Sequence, residues 1–397
     1  MSDYLPEEVL IDIFSRLPVK TLIQVRCVCK HWLSLISNPN FATTHIDKTK
    51  ISDKLILRHF TEKERDGKEH YLLLENDQTH GVHDDIKLDF PFKTWSKYNF
   101  RVVGSCNGLL CLSDDLGVYA YGIILWNPSI RRFVTLPTPR VTKRTHGSYT
   151  LVLGFGFDRN TNDYKVVRIA YIKGRNGCEL IPPEVEVYSL SSGSWRSFVA
   201  GAPPYGIYYG YTGSNAFVNG TLHWIGYDPC KKGSNGCLIV SFDMSDEVFR
   251  EVMLPDSLAH CGWDLSVSHY GELLSVLQHE QRAKEHYFSL WVMKEYGVVD
   301  SWTKLYTIDT WGGLHKTIGF TKNGKVLMVT ARGKLLSYDL NTRQKSNFGI
   351  RGAVDSFFVD KYMDSLVLLE GGSAILGGDA IVCEGGEEDG EALQWPR

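Results

Sequence analysis

Apolar positions change period along this chain. From Leu10 they recur as Ile13, Phe14 and Leu17, the i, i+3, i+4, i+7 spacing that lays one apolar stripe along a helix. Pro6 suits a first helical position, Glu7 and Glu8 lie where the helix dipole favours negative charge, and Pro18 ends the run. A second set follows, Leu22, Val25, Val28, Trp32, Leu35 and Ile36, stopped by Asn38-Pro39. Short helices spanning roughly 40 residues bury too little surface to stand alone. Their stripe is therefore either packed on the next domain or reserved for a partner.

Past residue 50 the period shortens. Residues 54–370 alternate in short runs with frequent glycine, the pattern of strands joined by tight turns. One module recurs: an aromatic on a strand, a turn, an aromatic on the next strand. It reads Trp126…Phe133, Tyr188…Trp195, Phe242…Phe249, Trp291…Trp302 and Tyr338…Phe348, returning roughly every 50 residues. A second hairpin precedes each. Asn107-Gly108, Asn219-Gly220 and Asn323-Gly324 mark three of these with the dipeptide that type I′ turns demand, and Asp158–Asp163 and Tyr270-Gly271 hold the same place in the other two.

Two hairpins make a four-stranded meander, and repeated meanders of this size are propeller blades. Five modules lie between residues 102 and 350, leaving the runs Ser356–Val359 and Leu366–Leu369 for one hairpin and Leu55–Leu57 and Tyr71–Leu74 for another. Joining the two closes the ring and removes two exposed sheet edges. The expected fold is a small all-α unit over 1–45 and an all-β propeller over 50–370. Six four-stranded blades are expected, with five or seven also compatible. The tail 371–397 is different. It carries seven glycines between 371 and 390 and six acids between 379 and 391, a composition that cannot build a core and predicts a disordered tail.

Composition narrows the function classes. The 397 residues are 43% hydrophobic, 22% charged and 12% aromatic, which excludes bulk disorder. A formal charge of −3 argues against whole-chain attraction to nucleic acid or anionic membrane. No apolar run approaches the ~18–20 residues of a membrane span, and MSDYLPEEVL lacks the basic and apolar regions of a secretory signal. Nine sparse cysteines fit reduced thiols in cytoplasm or nucleus.

The run Leu5-Pro6-Glu7-Glu8-Val9-Leu10, then Ile13-Phe14-Ser15-Arg16-Leu17-Pro18-Val19-Lys20, then Val25-Arg26-Cys27-Val28-Cys29-Lys30-His31-Trp32 resembles an F-box over residues 4–44. The resemblance implies docking on the Skp-family adaptor of a cullin–RING ubiquitin ligase. Carried over position by position, the implied adaptor contacts are Leu5, Pro6, Ile13, Leu17, Pro18, Val19, Leu22, Cys27, Val28 and Trp32. An amphipathic helix in an apolar groove uses anchors of this kind. Cys27 and Cys29 read as small buried hydrophobes, with no second ligand pair at zinc spacing.

Farther along, Gly104-Ser105-Cys106-Asn107-Gly108-Leu109-Leu110, Trp126-Asn127-Pro128, Leu153-Gly154-Phe155-Gly156-Phe157-Asp158, Tyr164-Lys165-Val166-Val167 and Val218-Asn219-Gly220-Thr221-Leu222-His223-Trp224 resemble the F-box-associated interaction domain of plant F-box proteins, a kelch-like family. The resemblance implies a receptor for a protein target. In a meander the turns inside each hairpin line one rim, and the longer connections line the other. Here those longer excursions are 137–149, 171–184, 200–213, 227–237 and 279–286. Long loops on a rigid scaffold collect binding residues. Tyr205, Tyr208, Tyr209 and Tyr211 crowd one of them, and Arg140, Lys143, Arg144, Lys173, Arg175, Lys231 and Lys232 tilt its neighbours basic, which suits an acidic patch on a target.

Catalytic and metal patterns fail on inspection. Asp158–Asp163 begins like a calcium loop, but Asp163 stands where glycine is required and Ile169 where the closing glutamate belongs, so it reads as a hairpin turn. Gly154-Phe155-Gly156 lacks the third glycine and the helix of a dinucleotide site. Cys230 and Cys237 lack a second ligand pair, and His223 beside Trp224 reads as a structural histidine. The expected function is the substrate-recognition subunit of a Skp–cullin–F-box ligase, with no catalytic residue, cofactor or metal of its own. Its rivals are an F-box protein acting outside a ligase and a propeller enzyme with convergent groups at the axial mouth.

Overall fold

The computed structural model describes residues 5–49, 54–61, 68–75, 86–88, 92–93, 100–114, 122–174, 182–198, 201–208, 215–228, 236–261, 264–282, 285–309, 314–368, 373–374 and 381–382. Four helices come first: α1 (Glu7–Phe14), α2 (Val19–Val25), α3 (Lys30–Ser37) and α4 (Pro39–Lys48). The second apolar set is two helices, not one. A turn over 26–28 separates them, and Cys29 in extended conformation caps α3, its Sγ accepting from Trp32 N at 3.5 Å. Asn38-Pro39 ends α3 as expected, yet it also starts α4. Pro39 takes the first helical position and Asn38 Oδ1 accepts from Asn40 N at 2.9 Å.

Six antiparallel sheets of four or five strands follow as blades. Blade 2 is Arg101–Cys106, Leu109–Ser113, Ile123–Asn127 and Arg132–Thr135; blade 3 is Tyr149–Asp158, Asp163–Ile172, Glu184–Ser189 and Ser194–Phe198. Blade 4 is Asn215–Val218, Thr221–Tyr227, Cys237–Asp243 and Phe249–Met253; Gly206–Ile207 lengthens its inner edge. Blade 5 is Leu265–Tyr270, Leu273–Arg282, Glu285–Met293 and Trp302–Asp309; blade 6 is Leu314–Phe320, Val326–Thr330, Lys334–Tyr338 and Lys345–Arg351. The first strand of each blade touches that of the next around a closed ring.

Closure differs from the expected pair of hairpins. Blade 1 takes Lys54–Thr61, Lys68–Glu75 and Ile86–Leu88 from the N-terminal side and one C-terminal strand, Phe358–Tyr362, as its innermost member. Within the described residues, Leu366–Leu368 is no strand, because its backbone is already claimed. The buried Asn127 Nδ2 donates to Ser365 O at 3.0 Å and to Val367 O at 2.8 Å. Leu368 takes a positive φ of 70°.

Asn107-Gly108 and Asn219-Gly220 have both residues at positive φ, as type I′ turns require. At Asn323-Gly324 only the glycine does, and Gly324 N donates to Thr321 O at 3.0 Å. That is a type I turn followed by a left-handed glycine, the three-residue hairpin rather than the expected type I′. The aromatic module also divides. Trp126↔Phe133, Tyr188↔Trp195 and Phe242↔Phe249 are direct cross-strand pairs, whereas Trp291 faces Lys304 and Tyr338 faces Lys345. Seven-residue spacing delivers the pair; longer hairpins shift it out of register.

Apolar side chains gather in wedges between neighbouring blades. Gly154 and Gly156 owe their place to one such wedge. A Cβ on Gly154 would sit 2.5 Å from Trp224 Cζ2, and one on Gly156 would sit 2.6 Å from Phe217 Cε2. Most of the tail 371–397 lies outside the described residues. Where it is described it departs from a coreless spacer, since Ser373–Ala374 pairs with Arg132–Phe133 and Ile381–Val382 pairs with Phe92–Lys93.

Candidate interaction surfaces

The helical unit has a core and an uncovered surface. Leu10, Phe14, Val19, Leu22, Leu35, Ile36 and Phe41 form the core, with Trp32 packed edge-on against Phe14 at 5.1 Å between ring centroids. Leu5, Val9, Ile13, Val28 and Leu33 are left 38–65% exposed. The structure thus removes Val19 and Leu22 from the implied contact set, because both are buried within the unit. Leu17 and Trp32 are half-buried, while Pro6, Pro18 and Cys27 lie open with Leu5, Ile13 and Val28. Cys27 and Cys29 are exposed rather than buried, and Cys29 serves as a helix cap.

Val9 and Leu33, outside the implied contact set, are exposed as well. Spacing carries a signal for Val9: Val9 and Ile13 are four apart on α1, with Leu5 four residues earlier just before the helix, a stripe turned from the Leu10/Phe14 stripe that fills the core.

The propeller completes the helical core from outside. Leu366 is 1% exposed and enters it, and Ile130 packs alongside. Thr43 Oγ1 donates to Asn162 Oδ1 at 3.0 Å. Ile130 and Asn162 belong to turns within hairpins, so the helices sit on the rim of short turns. The segment bearing Leu366 is held by Asn127 and by Asp364, which accepts from Lys54 Nζ at 2.6 Å and Ser129 Oγ at 3.0 Å.

The opposite rim carries the long connections. Its rigid base is a buried ion pair: Arg168 Nη1 donates to Glu186 Oε2 at 2.5 Å, with side chains 0% and 1% exposed. Glu186 Oε1 accepts from the backbone N of Arg140 at 2.8 Å, and Arg140 Nη2 donates to Glu184 Oε2 at 2.6 Å. Arg140 thus anchors the loop through its backbone, while its exposed guanidinium is shared with Glu184.

Lys143 and Arg144 project from the helical turn Lys143–His146, capped by Thr142 and Thr145. Lys173 N bonds Ser148 O at 2.9 Å, which brings its exposed side chain to the same loop. Tyr205 and Tyr208 are half-buried. The Tyr205 hydroxyl donates to Glu251 Oε1 at 2.5 Å, a bond that pushes its pKa up to about 12. Tyr208 lies 4.8 Å from the Tyr227 ring. Arg175, Tyr209, Tyr211, Lys231 and Lys232 lie outside the described residues.

Other candidates resolve into structure. His223 is fully buried, with Nε2 2.7 Å from Tyr296 OH and Nδ1 3.2 Å from Ala216 O; burial lowers its pKa to about 4. Asp158 closes its own turn, accepting from Asn160 N at 2.9 Å, and staples blade 3 to blade 4 through Ser245 Oγ at 2.6 Å. Lys165 Nζ bonds Asp158 Oδ2 at 2.7 Å and Glu247 Oε1 at 2.9 Å across the same seam. Among the described residues, no group of three or more His, Cys, Asp and Glu side chains could hold a metal ion. Nor is any helix there long and apolar enough to cross a membrane.

Residues 2–46 match an F-box-like family and residues 74–370 match the F-box associated beta propeller domain. That description carries no kelch label. The chain is 30% identical over 390 residues to F-box protein CPR1 of Arabidopsis thaliana, covering 92% of this chain and 89% of the relative. It is also 30% identical over 390 residues to F-box protein At3g07870 of the same plant, covering 84% and 85%. Among solved structures it matches YjhT with a TM-score of 0.39 at 12% identity, over 73% of this chain and 96% of that one. The chain belongs to the F-box proteins that carry an F-box-associated β-propeller domain.

Proposed function

We propose that this protein is the substrate-recognition subunit of a Skp–cullin–F-box ubiquitin ligase, acting in cytoplasm or nucleus. The F-box helices hold the Skp-family adaptor and, through it, the cullin; the rim of long connections holds the protein target. The observation that carries the reading is the exposed apolar set Leu5, Val9, Ile13, Val28 and Leu33 on helices whose core is already filled, Leu366 included. Apolar side chains left in solvent on a folded unit mark a protein partner. Because the helices occupy one rim, an adaptor bound there and a target bound on the other do not compete. The receptor itself is non-catalytic. Its contribution is proximity, raising the local concentration of target lysines near the charged ubiquitin carrier.

The test is co-purification of adaptor and cullin with the full chain and with a variant carrying Leu5→Ala, Pro6→Ala, Leu17→Ala and Pro18→Ala. A hot-spot loss of about 2 kcal/mol or more weakens adaptor capture at least about thirtyfold. Unchanged capture by a folded variant sinks the reading. Capture of adaptor without cullin favours an F-box protein working outside a ligase.

A further inference from the structure

A cavity of about 270 Å³ lies on the propeller axis. Its walls are the beginnings of the innermost strands, with Arg101, Asp264, Lys316 and Asp355 at that end and His269 and Asp360 deeper. Innermost strands begin at the rim of blade-to-blade connections, so the cavity stands on the side away from the F-box.

The charges on its wall are unequally satisfied. Arg58 donates to Glu69 Oε1 at 2.6 Å and to Ser356 O at 2.7 Å. Asp360 Oδ1 lies 3.7 Å from His269 Nε2 and accepts from Lys361 N at 2.8 Å. Burial pushes the Asp360 carboxyl up, toward its neutral form. Asp355 Oδ1 lies 3.8 Å from His315 Nε2, and Asp264 stands exposed at the rim. Lys316 is the exception. It is half-buried, and among the described residues its ammonium forms no hydrogen bond or ion pair. Burial pushes its ammonium below the ordinary lysine value, Asp355 opposes that shift, and Arg58 adds to it. Asp355 acts on it only through space, and a partly desolvated ammonium that no carboxylate hydrogen-bonds is a cost that an incoming anion removes.

We infer that this axial cavity receives one anionic group, a carboxylate or phosphate presented by a peptide segment of the target, against the Lys316 ammonium. The inference rests on the receptor reading and gives the target a chemical class: an acidic or phosphorylated segment reaching the axis. The cavity volume admits a single side chain rather than a folded element. Lys143, Arg144 and Lys173 lie on loops of the same rim and add positive charge there, which favours the approach of such a segment.

The test is calorimetric titration of the full chain with Gly/Ser octapeptides bearing one central glutamate, phosphoserine or glutamine, beside succinate and inorganic phosphate. The glutamate or the phosphoserine peptide should bind and the glutamine peptide should not. Lys316→Met should weaken that binding by about tenfold or more, while Lys316→Arg retains most of it. Binding of all three peptides alike, binding of none, or binding untouched by Lys316→Met overturns the inference. Succinate or phosphate binding as tightly as the peptides overturns the assignment to a target segment and makes this a small-anion site. Adaptor capture by the same preparation separates the two readings. Capture without peptide binding removes only the cavity proposal, and peptide binding without capture removes only the ligase role.

Discussion

Compare the F-box helices with the propeller ring. The helical core is completed from outside by Leu366 and Ile130, and five large apolar side chains stay exposed on some 45 residues; the ring is completed by the chain's own strand Phe358–Tyr362, and its apolar side chains pack between blades, with Val248, Met253, Leu273, Tyr296, Val298 and Val299 exposed across a far larger unit. Both are small repeats of secondary structure with two faces to cover. A ring can satisfy the second face with another copy of the same module, and four short helices cannot. The region where exposed apolar side chains are densest along the chain is the one expected to carry a constitutive partner. The closed region is free to vary its loops without risking its core.

The largest effect should come from opening the ring. A chain beginning at residue 80 lacks the strands that pair Phe358–Tyr362, leaving an innermost strand and two sheet edges uncovered. It should aggregate and show no cooperative melting, whereas a chain beginning at residue 50 should melt cooperatively. Equal melting of the two would mean that the ring closes by other strands.

Next in size is Arg168→Ala, which strands the buried Glu186 carboxylate beneath the rim of long connections and should cost about 3–5 kcal/mol in a denaturant melt. Stability of the F-box helices, followed by hydrogen exchange, should barely change.

Acid should reach the ring through its buried histidines. His59 and His223 are both held to a pKa of about 4, chiefly by burial, while unfolded histidine charges near its ordinary value of 6.5. Between those values the unfolded chain binds more protons. Their contribution is therefore complete above pH 6.5 and lost as pH falls toward 4, by up to about 3 kcal/mol for each. A melting temperature that stays flat across this window contradicts their buried, neutral state.

Asn127→Ala should be milder, about 1–3 kcal/mol, since it leaves carbonyls of Ser365 and Val367 without their donor. Its signature is regional. Freed from Asn127, the segment carrying Leu366 should loosen and hydrogen exchange in α3 and α4 should quicken, coupling the two regions at the one place where they share a core.

Local chemistry made much of this readable beforehand. The Asn-Gly turns at 107 and 219 have no other comfortable conformation, and seven-residue aromatic spacing fixes a cross-strand pair. What stayed hidden was decided at a distance. Leu366–Leu369 has the composition of a strand, but the amide of Asn127, far away in sequence, takes its carbonyls. Arg140 reads as an open charge until Glu184 and Glu186 are found beside it. Val19 and Leu22 sit inside the F-box motif, and only packing shows that they face its core. Lys316 carried no signal in sequence, because an unpaired cation is defined by its surroundings.

The central claim is that the exposed apolar face of the F-box, and not the propeller, holds the adaptor. The direct measurement is the affinity of the full chain for a purified Skp-family adaptor, taken for Val9→Ala, Ile13→Ala and Val28→Ala combined and for Lys143→Glu with Arg144→Glu. The apolar triple variant should lose about thirtyfold or more in affinity with an unchanged melting temperature, and the rim variant should bind as the parent does. An apolar variant that keeps full affinity, or a rim variant that loses it, would contradict the account.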